Sequence, residues 1–105
     1  MTDRLYLVSL KECDACKEAK AQLASEEGIR VLEEKLGTHE FEVIYGDGEG
    51  EQGDLARNLA YSLDRFSAPM LTKVTVEEGK PKKVCLLGDD LEEKKCAPVR
   101  NLPRD

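Results

Sequence analysis

The chain has no tryptophan, a single histidine and only five other aromatic residues among its 105, and no apolar run long enough to cross a bilayer. Its most continuous apolar segment, Leu5 to Leu10, follows Asp3 and Arg4 and is too short for a signal-peptide core or a membrane span, so a cytoplasmic location is expected. An excess of positive charge is also missing: 22 acidic against 16 basic residues leave a formal net charge of -6. Neutralising phosphate takes clustered Lys and Arg, and Lys80, Lys82 and Lys83 make only a small patch, so neither nucleic acid nor membrane is an expected partner. The lone His39 falls in a turn-like stretch and reads as a solvated loop residue rather than a base. What is present, 40% apolar and 36% charged residues, is the composition of one soluble domain spanning residues 1–105.

Leu5-Tyr6-Leu7-Val8-Ser9-Leu10 has the pattern of a buried strand. Beyond it Ala15, Ala19 and Leu23 recur every fourth residue, with Lys17, Glu18, Lys20 and Gln22 between them, which predicts an amphipathic helix. Gly28 interrupts the spacing and Ile29, Leu32 and Leu36 restart it, giving either one helix bent at Gly28 or two joined near Ser25, closed by Gly37. Phe41, Val43 and Tyr45 predict a second strand, reached by a helical crossover as in a βαβ unit. Residues 46–53 interleave four glycines with acids and predict an exposed mobile loop without the ligand register of an EF-hand. Asp54 is expected to cap a helix with the apolar stripe Leu55, Ala56, Leu59, Ala60, Leu63 and Phe66.

Ser67-Ala68-Pro69 breaks that pattern, and Met70 to Val76 and Lys82 to Leu87 predict a β-hairpin across Glu77-Glu78-Gly79-Lys80. Asp89 and Asp90 stand three residues before Glu92 and Glu93, a capping-box spacing that predicts a short last helix ended by Ala97-Pro98, with a frayed tail from Pro98 to Asp105. The expected order is β-α-β-α-β-β-α, an α/β fold with a mixed four-stranded sheet and helices on both faces.

The chemistry-bearing feature is Cys13-Asp14-Ala15-Cys16, between the first strand and the first helix. Unpaired N–H groups of a first helical turn and the positive end of the helix dipole stabilise a thiolate there, so Cys13 is the expected nucleophile and Cys16, one turn on, the resolving thiol. Lys11 and Lys17 favour that thiolate, whereas Glu12 and Asp14 disfavour it. Cys85, between Val84 and Leu86, reads most simply as a small buried hydrophobe and Cys96 as a helix-end residue; a Cys85–Cys96 disulfide is a further possibility. Alternatively CxxC is half of a zinc site, although Cys85 and Cys96 lack the spacing of a second tight knuckle.

Cys13-Asp14-Ala15-Cys16-Lys17-Glu18-Ala19-Lys20 with Leu23 is similar to the glutaredoxin pattern C-x-x-C-x-x-A-K-x-x-L. Ser67-Ala68-Pro69 and Gly88-Asp89-Asp90-Leu91 resemble that family's proline segment and its glycine turn before the last helix, so the chain resembles the thioredoxin-like superfamily, and glutaredoxins in detail, from Leu5 to Lys95. Asp14-Ala15 departs from the Pro-aromatic pair usual between glutaredoxin cysteines, and Lys11 stands two residues before Cys13 where the family's glutathione-binding Lys stands three before. The resemblance implies a thioredoxin-like fold, a cis Pro69, substrate contacts from Ala68, Pro69 and Lys11, and exchange of protein disulfides through Cys13 and Cys16. The implied partners are disulfide-containing proteins and an electron donor, without a bound cofactor. A non-catalytic adaptor with the same fold is the remaining alternative.

Overall fold

Strand β1 (Thr2–Ser9) is buried from Leu5 onward in the computed structural model, which describes residues 2–103. A strand this apolar needs cover on both faces and pairing on both edges. Parallel β2 (Glu42–Tyr45) lies along one edge, with Leu7 opposite Val43, and antiparallel β3 (Met70–Glu77) along the other, with Val8 opposite Met70. Strands β4 (Lys80–Leu87) and β5 (Glu93–Pro98) extend the sheet to five strands in the order β2-β1-β3-β4-β5.

Alternation along the strands divides the core in two. Leu5 and Leu87 pack with Leu32 of α2 (Glu26–Leu36), and Leu23 of α1 (Asp14–Ala24) lies against them. Tyr6 and Val8, with Ile44, Val74 and Val84, pack with Ala56, Leu59, Ala60 and Leu63 from α3 (Gly50–Ser62) and its C-cap.

The expected four-stranded, thioredoxin-like arrangement is overturned: the described residues form five strands and three helices, and strand β5 stands where the last helix was expected. Asp90 does not cap a helix. Its Oδ1 accepts the Glu92 N–H at 3.1 Å and its Oδ2 the Lys94 ammonium at 3.0 Å, while Leu91 takes a left-handed φ of 62° and donates to the Gly88 carbonyl. The spacing read as a capping box is therefore used by an Asx turn that sends the chain back along β4. Cys96, expected at a helix end, lies in β5 directly opposite Cys85.

Local punctuation is otherwise obeyed. The two-helix alternative holds at Ser25, whose Oγ donates to the Gln22 carbonyl at 2.6 Å and accepts the Gly28 N–H at 3.1 Å, closing α1 and opening α2. A Cβ on Gly28 would strike the Gln22 carbonyl, so the junction requires glycine there. Gly37 closes α2 with a φ of 75°. Glu78 and Gly79 turn the β3–β4 hairpin with φ of 54° and 76°, the positive pair of a type I′ turn.

Helix α3 starts earlier than expected. Its N-cap is Glu49 rather than Asp54, so Gly50 to Gly53 form its first turn instead of a mobile loop. It also ends earlier: Asp64, at φ 52°, donates to the Tyr61 carbonyl and Arg65 to the Ala60 carbonyl, a Schellman closure that leaves Phe66 68% exposed rather than in the stripe. On α1 Cys16 is buried in the inward place expected for Ala15, which is exposed, while Ala19 and Leu23 are half-buried as their spacing predicts.

The segment after Pro98 is fastened rather than frayed as far as it is described; Arg104 and Asp105 lie outside the described residues. Val99 donates to the Lys82 carbonyl, Arg100 N–H to Ser62 Oγ at 2.7 Å and Leu102 N–H to Asn58 Oδ1 at 2.7 Å, and the Arg100 guanidinium lies 5.0 Å from the Tyr61 ring centroid. Ser62→Ala leaves the Arg100 amide without that acceptor and is expected to cost about 1–2 kcal/mol, read as a lower urea midpoint at unchanged m-value. The Lys94 hydrogen bond, followed by the Glu92 N–H, holds the Asp90 carboxyl below its ordinary value of 3.8. A lowered folded-state value stabilises above the unfolded value and is lost as pH falls through the folded one, so the Asp90 turn should weaken below about pH 4. Melting curves from pH 5 to 2 should accordingly converge for wild type and Asp90→Asn at the acid end.

Candidate functional site

Strand β1 delivers Leu10 to Glu12 and then Cys13, whose φ of -144° and ψ of 105° make it the N-cap of α1. Its Sγ accepts the Cys16 N–H at 3.1 Å, the role that a Ser or Asp oxygen plays at other helix starts. Cys13 and Cys16 are joined as a disulfide, with Cα atoms 5.2 Å apart. Cys16 is 3% exposed and Cys13 half-buried, so the cysteine at the helix terminus is also the more exposed residue of the two. On reduction, a thiolate at Cys13 would meet that amide and the positive end of the dipole.

The strand ladder brings part of the expected substrate-contacting set to the same end of the sheet. Because Val8 lies opposite Met70, Ala68 and Pro69 enter β3 where β1 leaves for Cys13. The Ala68–Pro69 peptide bond is cis. A groove of about 620 Å³ joins Ala19 and Leu23 of α1 to Pro69, Leu71 and Leu91, with Lys94 at its margin. Ala68 lines a separate apolar pocket of about 140 Å³ with Leu10 and Phe66.

Lys11 is tied to the scaffold through its backbone, its N–H donating to both Asp47 carboxylate oxygens at 3.0 and 3.1 Å. The loop carrying Asp47 is itself locked: Arg57 Nη1 donates to the Gly46 and Gly48 carbonyls at 3.0 and 2.7 Å, and its Nη2 to Asp54 Oδ1 at 2.8 Å. Sequence reasoning missed Asp47 and Arg57. The only local signal was the Asp54 to Arg57 spacing on one helix face; the rest depends on the fold.

A second sulfur pair lies across β4 and β5. Cys85 and Cys96 face each other with Cα atoms 4.0 Å apart and are disulfide-bonded, as the further possibility held. Cys85 is fully buried and Cys96 exposed. Glu93 Oε1 lies 3.7 Å from Cys85 Sγ and 3.5 Å from Cys96 Sγ, while its Oε2 forms an ion pair with Lys73. Hydrogen bonding and charge from Lys73, with Lys83 adding, hold the Glu93 carboxyl below the ordinary carboxylate range. The sequence marked Glu93 only through its capping-box spacing from Asp90 and not as a neighbour of the sulfurs, since β5 must pair before it reaches them. His39 sits in the loop after α2 and pairs with Glu33, away from both cysteine pairs in sequence.

Comparison with protein-family models, curated proteins and solved structures finds no match to this chain. Among the described residues, no helix is long and apolar enough to cross a membrane.

Removing the Asp47 anchor tests whether the linker ahead of Cys13 is held by it. Asp47→Ala is expected to raise the hydrogen-exchange rate of the Lys11 amide about fivefold, the loss of roughly 1 kcal/mol, with the core amides of β1 unchanged. Unchanged exchange at Lys11 would show that the linker is held by other means.

Proposed function

We propose that the protein is a thiol–disulfide oxidoreductase that reduces or exchanges protein disulfides through Cys13 and Cys16 in the cytoplasm, without a bound cofactor. The observation that carries the reading is Cys13 Sγ at the N-cap of α1, accepting the Cys16 amide and bonded to the Cys16 sulfur. The CxxC pattern with Ala19, Lys20 and Leu23, similar to that of glutaredoxins, supports the same chemistry, and the strand at residues 93–98 sets the chain apart from that family's usual last helix.

In the forward direction the Cys13 thiolate attacks one sulfur of a substrate disulfide, and the other substrate sulfur leaves as a thiolate that takes up a proton. The Cys16 thiol loses its proton and attacks Cys13 Sγ, expelling the second substrate thiolate. Both substrate sulfurs are then reduced and Cys13–Cys16 is oxidised, the state this structure holds. Two electrons return from a dithiol or small-thiol donor. The Ala68 backbone and Pro69 offer the substrate chain a docking edge beside β1, and Lys11 adds positive charge before the nucleophile.

Cys16→Ser should accumulate mixed disulfides through Cys13, and Cys13→Ser should abolish reduction of insulin disulfides. Equal turnover by wild type and Cys13→Ser would defeat the proposal. Stoichiometric zinc lost only when the CxxC cysteines are replaced would favour a metal module, and partner capture indifferent to Cys13→Ser an adaptor.

A further inference from the structure

The Cys85–Cys96 pair takes no part in the exchange described above, yet a carboxylate oxygen is aimed at both of its sulfurs. We propose that, once a dithiol has reduced this bond, Cys85, Cys96 and Glu93 form a site for a divalent cation of the zinc class.

The three candidate ligand atoms lie within 4.8 Å of one another. Around tetrahedral zinc, arms of about 2.0–2.3 Å place neighbouring ligand atoms roughly 3.3–3.8 Å apart. Glu93 Oε1 is already 3.5 and 3.7 Å from the two sulfurs, so two edges of that tetrahedron stand before any metal arrives. Only the third edge, sulfur to sulfur, must lengthen, and breaking the covalent bond allows that. Lys73 holds the other carboxylate oxygen and so keeps Oε1 turned toward the cysteines.

The chemistry balances in two steps. A dithiol gives two electrons and two protons to the Cys85–Cys96 bond, leaving two thiols here and a disulfide on the donor. The cation then displaces one proton from each thiol. Two thiolates and one carboxylate set against a dication and the Lys73 ammonium give a neutral cluster, which suits a half-buried place in the sheet. Cys85 closes the inner side and exposed Cys96 leaves the fourth position to water.

The test uses the full chain carrying Cys13→Ser and Cys16→Ser, so that its outcome is independent of the exchange activity. After reduction with a dithiol and anaerobic removal of the reductant, Zn²⁺ is titrated against a chromophoric chelator. One equivalent should bind, shield both remaining thiols from alkylation and raise the melting temperature, while the oxidised protein binds none. Glu93→Gln should weaken binding about tenfold or more, and adding Cys85→Ser with Cys96→Ser should abolish it. No uptake by the reduced protein, or full affinity in Glu93→Gln, overturns the proposal. Should the unliganded reduced protein lose its fold, recovery of native melting on adding Zn²⁺ supports the site, and failure to recover counts against it.

Discussion

The burial of β1 on both faces governs everything else in this chain. From Leu5 to Ser9 no side chain is left to solvent, so backbone partners are needed on both edges and apolar cover above and below. Its alternating residues seed the two clusters, Leu5 with α2 and Tyr6 and Val8 with α3. A strand this constrained ends at a defined place, and that end is where Cys13 begins a helix. The placing of the first cysteine's sulfur at a helix N-terminus is thus a consequence of sheet packing: the strand fixes the origin of α1, and the origin of α1 supplies the amide that the sulfur accepts.

Between strand and helix lie Leu10 to Glu12, which have no ladder of their own. They are held from across the sheet, where Gly46 donates to the Ser9 carbonyl and Asp47 accepts from Lys11. Arg57 in turn satisfies two carbonyls of that loop, so helix α3, packed on one face, steadies the linker that leads to the helix on the other. A glycine-rich acidic stretch that would be mobile in isolation becomes a bracket once one guanidinium spans it.

Features with local causes were legible in the sequence. The first strand, the break at Ser25, the Gly37 cap and the Glu78-Gly79 turn follow from residue chemistry within a few positions, and so does the placing of CxxC at a helix start. What was not legible depends on distant partners. Residues 89–93 satisfy a helix-cap spacing, but the same carboxylate can close an Asx turn, and pairing with β4 decides between them. Arg57 is 9 residues from the Gly48 carbonyl that it bonds, and Leu102 is 44 from Asn58, distances over which propensity carries no information. The one changed position on the inward face of α1 has a smaller cause: cysteine packs as a small hydrophobe, and Cys16 took the inward place given to Ala15 by a four-residue count.

The two cysteine pairs sit in opposite surroundings. Cys13 faces backbone amides, which lower the cost of a thiolate; Cys96 faces a carboxylate, which raises it unless a cation intervenes. Their covalent bonds also constrain the unfolded chain unequally: closure over a separation of 3 is worth about 2 kcal/mol and over 11 about 3 kcal/mol on chain-entropy grounds. On that ground the first bond is the cheaper to open, while the second staples β5 to β4. Opening the staple would endanger the last strand, which among the described residues has no strand partner on its far side. A cation shared by both sulfurs resolves that conflict, since it bridges the same two strands and restores across a metal the crosslink lost between the sulfurs.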